Sequence, residues 1–207
     1  MPTLILMQNL NKLTLRRRYF LFGAASLVAA GPAFALDDDS ATRLVNQLVA
    51  EINAATNAGG SQTKLIKAFE GIFEQYADVN IISRSALGPR ARTASTEELN
   101  AFSRVFRGYI ARKYGKRFQE YIGSAIVVKN TINRGKFFEV DASVEVEGSE
   151  PFKVSFRVSD RSGKKLFFDI IIEGISLLSS ERVEMGALLD ARNGDIGRLT
   201  KDLASLG

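Results

Sequence analysis

Apolar side chains recur every three or four residues through the front of the chain, every second residue through its middle, and every three or four again near its end. Leu44, Val45, Leu48, Val49 and Ile52 mark a first helix, with Asp37-Asp38-Asp39 at its start, where the helix dipole favours negative charge. Asn57-Ala58-Gly59-Gly60 breaks it, and Ser61 caps a second helix whose stripe is Leu65, Ile66, Phe69, Ile72, Phe73 and Tyr76. Asp78 caps a short third helix ending at Gly88-Pro89. Ser95 and Glu98 form an S-x-x-E capping box ahead of the longest helix. Its apolar stripe runs Leu99, Phe102, Val105, Phe106, Tyr109, Ile110, Tyr114, Phe118, Tyr121, and its other face carries Arg104, Arg107, Arg112, Lys113, Lys116 and Arg117. Such a face is either solvated or a docking surface for acidic headgroups or an acidic partner.

From Ser124 the period changes to two. Phe138, Val140, Ala142, Val144 and Val146 alternate with Glu139, Asp141, Ser143 and Glu145, and Phe152, Val154, Phe156 and Val158 alternate with Lys153, Ser155, Arg157 and Ser159. Each is an antiparallel strand with one buried face. Turn residues at Arg134-Gly135, Glu147 to Glu150 and Arg161-Ser162-Gly163 separate the strands, and the last one, Leu166 to Glu173, is more apolar than the others, as expected for a strand covered on both sides. Beyond Gly174, Val183, Met185, Leu188 and Leu189 predict a helix interrupted at Asn193-Gly194, and Ile196, Leu199, Leu203 and Leu206 a final one. The fold class is α+β: a four-stranded antiparallel meander whose apolar face is covered by the N-terminal helical region and the C-terminal helices.

The 207 residues include neither cysteine nor histidine. Disulfides, thiol nucleophiles, imidazole-metal sites and Ser-His-Asp triads are therefore excluded, and no metal site, catalytic residue or cofactor is expected. Net charge is +5, but much of it sits in one segment. Residues 16–35, RRRYFLFGAASLVAAGPAFA, have the basic, apolar and small-x-small regions of an export signal, with Ala33-Phe34-Ala35 as the cleavage site. Arg17-Arg18-Tyr19-Phe20-Leu21 fits the twin-arginine form, although a general secretion signal with a basic start contains the same residues. Cleavage would leave one domain, residues 36–207, working in the periplasm. Residues 1–35 hold Lys12, Arg16, Arg17, Arg18 and no acid, so that domain keeps 24 Lys and Arg against 23 Asp and Glu, a net +1. A balanced charge makes no case for nucleic acid.

Three stretches together resemble the MlaC family, periplasmic phospholipid-binding proteins of ABC transport systems, also called toluene-tolerance proteins. They are Tyr76-Ala77-Asp78-Val79 through Ala86-Leu87-Gly88, the aromatic helix Phe102-x3-Phe106-x2-Tyr109 onward, and Phe168-Asp169-Ile170-Ile171-Ile172-Glu173-Gly174-Ile175-Ser176-Leu177. The last is similar to the family's final strand, an aromatic-Asp followed by an apolar run and Glu-Gly-Val/Ile-Ser-Leu. Asp169, Glu173, Gly174 and Ser176 are its motif positions. Asp169 and Glu173 are read as outer-face or turn-capping acids, Gly174 as allowing a bend, and Ser176 as a cap. The chain departs from the family in having Lys164-Lys165 where Trp is frequent, Glu181 where Tyr is common and Met185 where Phe is common.

The resemblance implies an NTF2-like sheet wrapped by helices with acyl chains held between them. The protein would be a monomeric carrier moving phospholipid between an outer-membrane lipoprotein complex and an inner-membrane ABC transporter, touching membranes transiently. Periodicity alone makes the apolar positions a filled core; the resemblance makes them a lining. The lining it implies is Val140, Val144, Val154, Phe156, Ile170 and Ile172 on the sheet and Phe102, Phe106 and Tyr109 on the long helix. Met185 and Leu189 would stand at the mouth. Other readings are a carrier of another amphiphile such as a hopanoid, an isomerase or dehydratase using Asp141 or Asp169 as base, and an adaptor docking through the basic helix face. Both acids alternate out of phase with the apolar face, which argues against catalysis.

Overall fold

The computed structural model describes residues 36–118 and 124–207. The export signal and Tyr121 lie outside them. Each helix starts where a short polar side chain can accept from an otherwise unpaired backbone N–H. α1 (Asp38–Asn57) begins at Asp37, whose Oδ1 accepts from Ser40 N at 2.8 Å while Ser40 Oγ accepts from Asp37 N at 3.0 Å. Those bonds from Ser40 hold the Asp37 carboxyl below its ordinary range. α2 (Gln62–Tyr76) is capped by Ser61 and α3 (Val79–Leu87) by Asp78, before a 3₁₀ turn at Gly88–Arg92. α4 (Thr96–Phe118) carries the expected capping box: Glu98 N donates to Ser95 Oγ at 3.1 Å and Ser95 N to Glu98 Oε2 at 2.8 Å. α5 (Leu177–Asp190) is capped by Ser176 and α6 (Ile196–Leu203) by Asp195.

Between α4 and α5 lies an antiparallel meander in chain order, β1 (Ala125–Asn133), β2 (Phe138–Glu145), β3 (Phe152–Ser159), β4 (Leu166–Ile172) and β5 (Ile175–Ser176). The four expected strands are thus five. Glu173 and Gly174 both adopt positive φ, +48° and +80°, which closes a two-residue hairpin turn and pairs Ile172 with Ile175. Lys153 N donates to Glu173 Oε1, so a glutamate tolerates a left-handed backbone that ordinarily favours glycine.

One face of the sheet is apolar by register: Val140, Phe156 and Ile170 lie abreast, as do Ala142, Val154 and Ile172. Two bulges keep this face continuous. At Phe168 the register with β3 shifts, so Phe167 joins the even-numbered positions of its strand on the apolar face; at Lys129 a similar shift brings in Thr131. The opposite face is a polar ladder. Arg157 lies between Glu139 and Asp169 in register and approaches their carboxylates at 3.5 and 3.3 Å. Asp141 accepts from Ser155 Oγ at 2.6 Å and pairs with Lys153 at 2.9 Å. These acids are out of phase with the apolar face, as their alternation requires, yet Glu139, Asp141 and Asp169 are all buried.

α1 lies across β1 to β3, α2 packs on α1 and α4, and α4 also meets α3 and α6. The outer edge of β4 is covered at one end by β5 and at the other by Ala77-Asp78, where Asp78 N donates to Phe167 O at 2.8 Å. At the start of the described chain, Leu36 N donates to Asp160 Oδ2 at 3.1 Å.

Four of the α4 cations bind other parts of the fold, while Arg104 is exposed. Arg107 pairs with Glu70 and Glu74 of α2, Arg112 donates to Leu203 O and Leu206 O, and Lys116 donates to Gly207 O. Lys113 joins Glu181 and Glu184 of α5. Four of the six expected surface charges thus hold helices together, a role the acids of α2 and α5 make possible at one-turn spacing.

Candidate functional site

A cavity of about 250 Å³ lies between the apolar face of the sheet and the helices, and with its open mouth the unfilled space reaches about 1630 Å³. The sheet supplies Ile126, Val144, Phe152, Val154, Phe156, Phe167, Ile170 and Ile172. α1 contributes Leu48 and Ile52, α2 contributes Phe69, Ile72 and Phe73, and α5 brings Leu177, Leu178 and Glu181. Ile82 of α3 adds to the wall, as do Ile110, Ala111, Tyr114 and Gly115 of α4. Gly115 permits the close passage of α2: a Cβ there would lie 3.3 Å from Ile66 Cγ1. The aromatic rings meet at angles, Phe156 to Phe167 at 6.3 Å edge-on and Phe73 to Phe167 at 6.0 Å tilted.

Of the positions expected to line a cavity, Val144, Val154, Phe156, Ile170 and Ile172 do so. Phe102, Phe106, Tyr109, Val140, Met185 and Leu189 are buried but are not among its wall residues. For α4 the reason is helical geometry. At about 100° per residue, Phe102, Phe106 and Tyr109 share one stripe while Ile110, Ala111, Tyr114 and Gly115 centre on a direction well over a quarter-turn away. The aromatic stripe is solid core, with Phe102 and Phe106 stacked at 5.4 Å and both fully buried. α4 is packed on two sides, so apolar periodicity alone did not tell which side faces the space. Met185 and Leu189 are likewise interior residues of α5, not mouth residues.

The motif Asp169 to Ser176 joins the sheet to α5. Asp169 Oδ1 accepts from Leu178 N at 3.0 Å, and Oδ2 accepts from Ser176 Oγ at 2.8 Å and Arg157 at 3.3 Å. Asp169 borders the cavity with both oxygens occupied, and Ser176 caps α5 through Ser179 N at 3.0 Å.

A polar knot lies beside the apolar wall. Glu181 Oε1 accepts from Lys113 Nζ and Tyr114 Oη, each at 2.6 Å. Tyr109 Oη donates to Glu184 at 2.6 Å, and Lys113 also pairs with Glu184. Burial and the hydrogen bond to Glu184 drive the Tyr109 hydroxyl far above its ordinary range. Burial alone would raise Glu184, but Lys113 and Tyr109 outweigh it and hold the carboxyl below its ordinary value of 4.5. Glu181 is only 2% exposed. Its departure from the family pattern, visible in the sequence, was the one available sign that a charge lines this space.

A sequence profile described as MlaC protein matches residues 42–205, most of the chain. The chain belongs to the MlaC family. This MlaC family member is similar in structure to a phospholipid-binding protein from Ralstonia solanacearum solved in complex with a phospholipid. The two align with a TM-score of 0.68 at 19% identity, covering 79% of this chain and 94% of that one, and so share a fold. In this fold Asp169 ties the start of α5 to β4, and no helix among the described residues is long and apolar enough to cross a membrane.

Proposed function

We propose that this MlaC family member is a periplasmic carrier that holds the acyl chains of a phospholipid between its sheet and helices. The observation that carries this reading is the apolar cavity walled by the sheet face and five helices in a member of this family. Two acyl chains present about thirty methylenes, at roughly 0.8 kcal/mol each, so crossing water unshielded costs on the order of 20 kcal/mol. A carrier needs a dry recess and no reacting group. Asp141 and Asp169, the acids an isomerase or dehydratase would use, are committed to ion pairs and hydrogen bonds. That commitment favours binding over catalysis.

In this reading residues 1–35 are a signal cleaved after Ala35, and the working protein is the single lipid-binding domain 36–207. It acts as a monomer, exchanging lipid with an inner-membrane ABC complex and an outer-membrane lipoprotein complex by transient contact. Native mass spectrometry of protein exported in a bacterial host tests both parts. A chain starting at Leu36 with one phospholipid bound is expected. Repeated recovery of lipid-free chains that take up nothing from phospholipid vesicles would refute the carrier.

A further inference from the structure

Strand register gives the cavity a direction. At one end Ile126, Val144 and Phe152 lie abreast on β1, β2 and β3, and all three line the wall. Farther along the sheet only β3 and β4 take part, through Val154 beside Ile172 and then Phe156 beside Ile170. At the last rung Phe138 and Val158 are buried outside the wall, and β4 alone still borders the space, through Phe167 and the bulged Phe168. The sheet side of the cavity thus tapers toward Phe167, whose ring meets those of Phe73 and Phe156 at that end. The wide end is the wet one. Ile126 and Phe152 are half-buried, whereas Phe167 is only 3% exposed. α1 starts near the narrow end, where Leu36 N meets Asp160 and Thr42 meets Thr131, so it carries the polar wall residues Asn53 and Thr56 to the wide end. The narrow end is also braced: Phe167 O accepts from Asp78 N at 2.8 Å, and Phe167 is bridged to Ala77.

We propose that Phe167 is the end-stop of the cavity and sets the longest acyl chain the protein accepts. This rests on the carrier reading above. From Phe152 to Val158 the strand β3 rises about 20 Å, at about 3.4 Å per residue. One leaflet of a bilayer, half of a hydrocarbon core about 30 Å thick, is about 15 Å deep. An ordinary membrane chain entering methyl end first from the wide end therefore reaches the aromatic floor with little room to spare. A longer chain leaves its surplus methylenes in water, and each lowers loading by about fourfold. Phe167 holds this post through the bulge at Phe168, because unbroken alternation would set Phe168 opposite Val158 instead.

The test is equilibrium loading of the stripped mature protein from vesicles of phosphatidylglycerols in equal amounts, read by native mass spectrometry. The lipids differ only in their paired monounsaturated chains, of sixteen, eighteen, twenty and twenty-two carbons. Two methylenes kept in water already predict a preference of about tenfold or more for the shortest lipid over the longest. F167L removes part of the floor, and its preference is expected to fall toward one. V144A removes bulk at the wide end instead and is expected to move the preference far less. Equal loading of all lengths by the parent overturns the end-stop and leaves the carrier intact, whereas uptake of none overturns the carrier as well. A folded F167L with the parent's preference also overturns the end-stop, as does a shift in V144A as large as that in F167L. If F167L does not fold, the length series on the unaltered protein decides.

Discussion

Stripping the lipid is expected to cost this protein much of its thermal stability. Residual cavities in protein cores destabilise by about 24 cal/mol per Å³, because the lining loses contacts it does not regain by relaxing. Applied to the 250 Å³ between sheet and helices, this gives about 6 kcal/mol as the upper value for leaving the space unfilled. In a domain of this size each kcal/mol moves Tm by about 2–4 °C. The lipid-free protein should then melt up to about 12–24 °C below the loaded one, and less where the walls close in. Scanning calorimetry of one preparation before and after delipidation, with lipid content followed by mass spectrometry, measures the difference. A Tm that moves by less than about 2 °C while one lipid per chain is removed would show that the acyl chains do not occupy this cavity. Excess free lipid must be absent from both samples, since mass action alone raises the Tm of a binding protein.

Ala111→Phe projects a ring from α4 into the same space; lipid uptake from vesicles should fall, and the Tm gap between loaded and stripped protein should narrow, with unchanged uptake counting against the assigned wall. Asp169→Ala removes the acceptor of Arg157, Ser176 and Leu178 N at once and is expected to lower unfolding free energy by about 3–5 kcal/mol, as for other broken buried pairs, read from urea unfolding by circular dichroism; a loss under about 1 kcal/mol would mean that α5 does not depend on this clamp. Glu184 has a folded-state pKa below its ordinary 4.5, so its contribution is complete above that pH and is lost as pH falls through the lower folded value. Between pH 5 and pH 3 the urea midpoint should therefore fall less steeply in Glu184→Gln than in the parent, and parallel curves would refute the pairing with Lys113 and Tyr109.

Helix starts were legible where they rest on a local rule: Ser61, Asp78, Ser95 and Ser176 all cap the helices that follow them. The alternation through β2 and β3 was legible for the same reason. What depends on three-dimensional placement was not. The bulges at Lys129 and Phe168 change phase without changing residue type, so the odd-numbered Phe167 joins an even-numbered face unannounced. The stripe of α4 that meets the cavity is carried partly by Ala111 and Gly115, residues too small to register as hydrophobic anchors. The outer face of the sheet reads as wet, yet its acids are buried because arginine and lysine side chains pair across neighbouring strands and shield them. Empty volume leaves no mark in a sequence at all. A wall and a filled core use the same residues, and only the distance between facing elements separates them.

The two rims of the meander bear on how this chain meets other chains. An open strand rim invites pairing with other chains. Here the β4 rim is taken at one end by the two residues of β5 and at the other by Ala77 and Asp78, so little of it remains to template a foreign strand. The β1 rim is interrupted by the bulge at Lys129, an exposed cation that pairs with Glu145, and bulges and edge lysines both discourage strand addition. A protein whose working surface must be greasy thus confines that grease to its interior. Of its two rims, the β4 side is thus largely taken by the chain's own segments, while the β1 side is broken by a bulge.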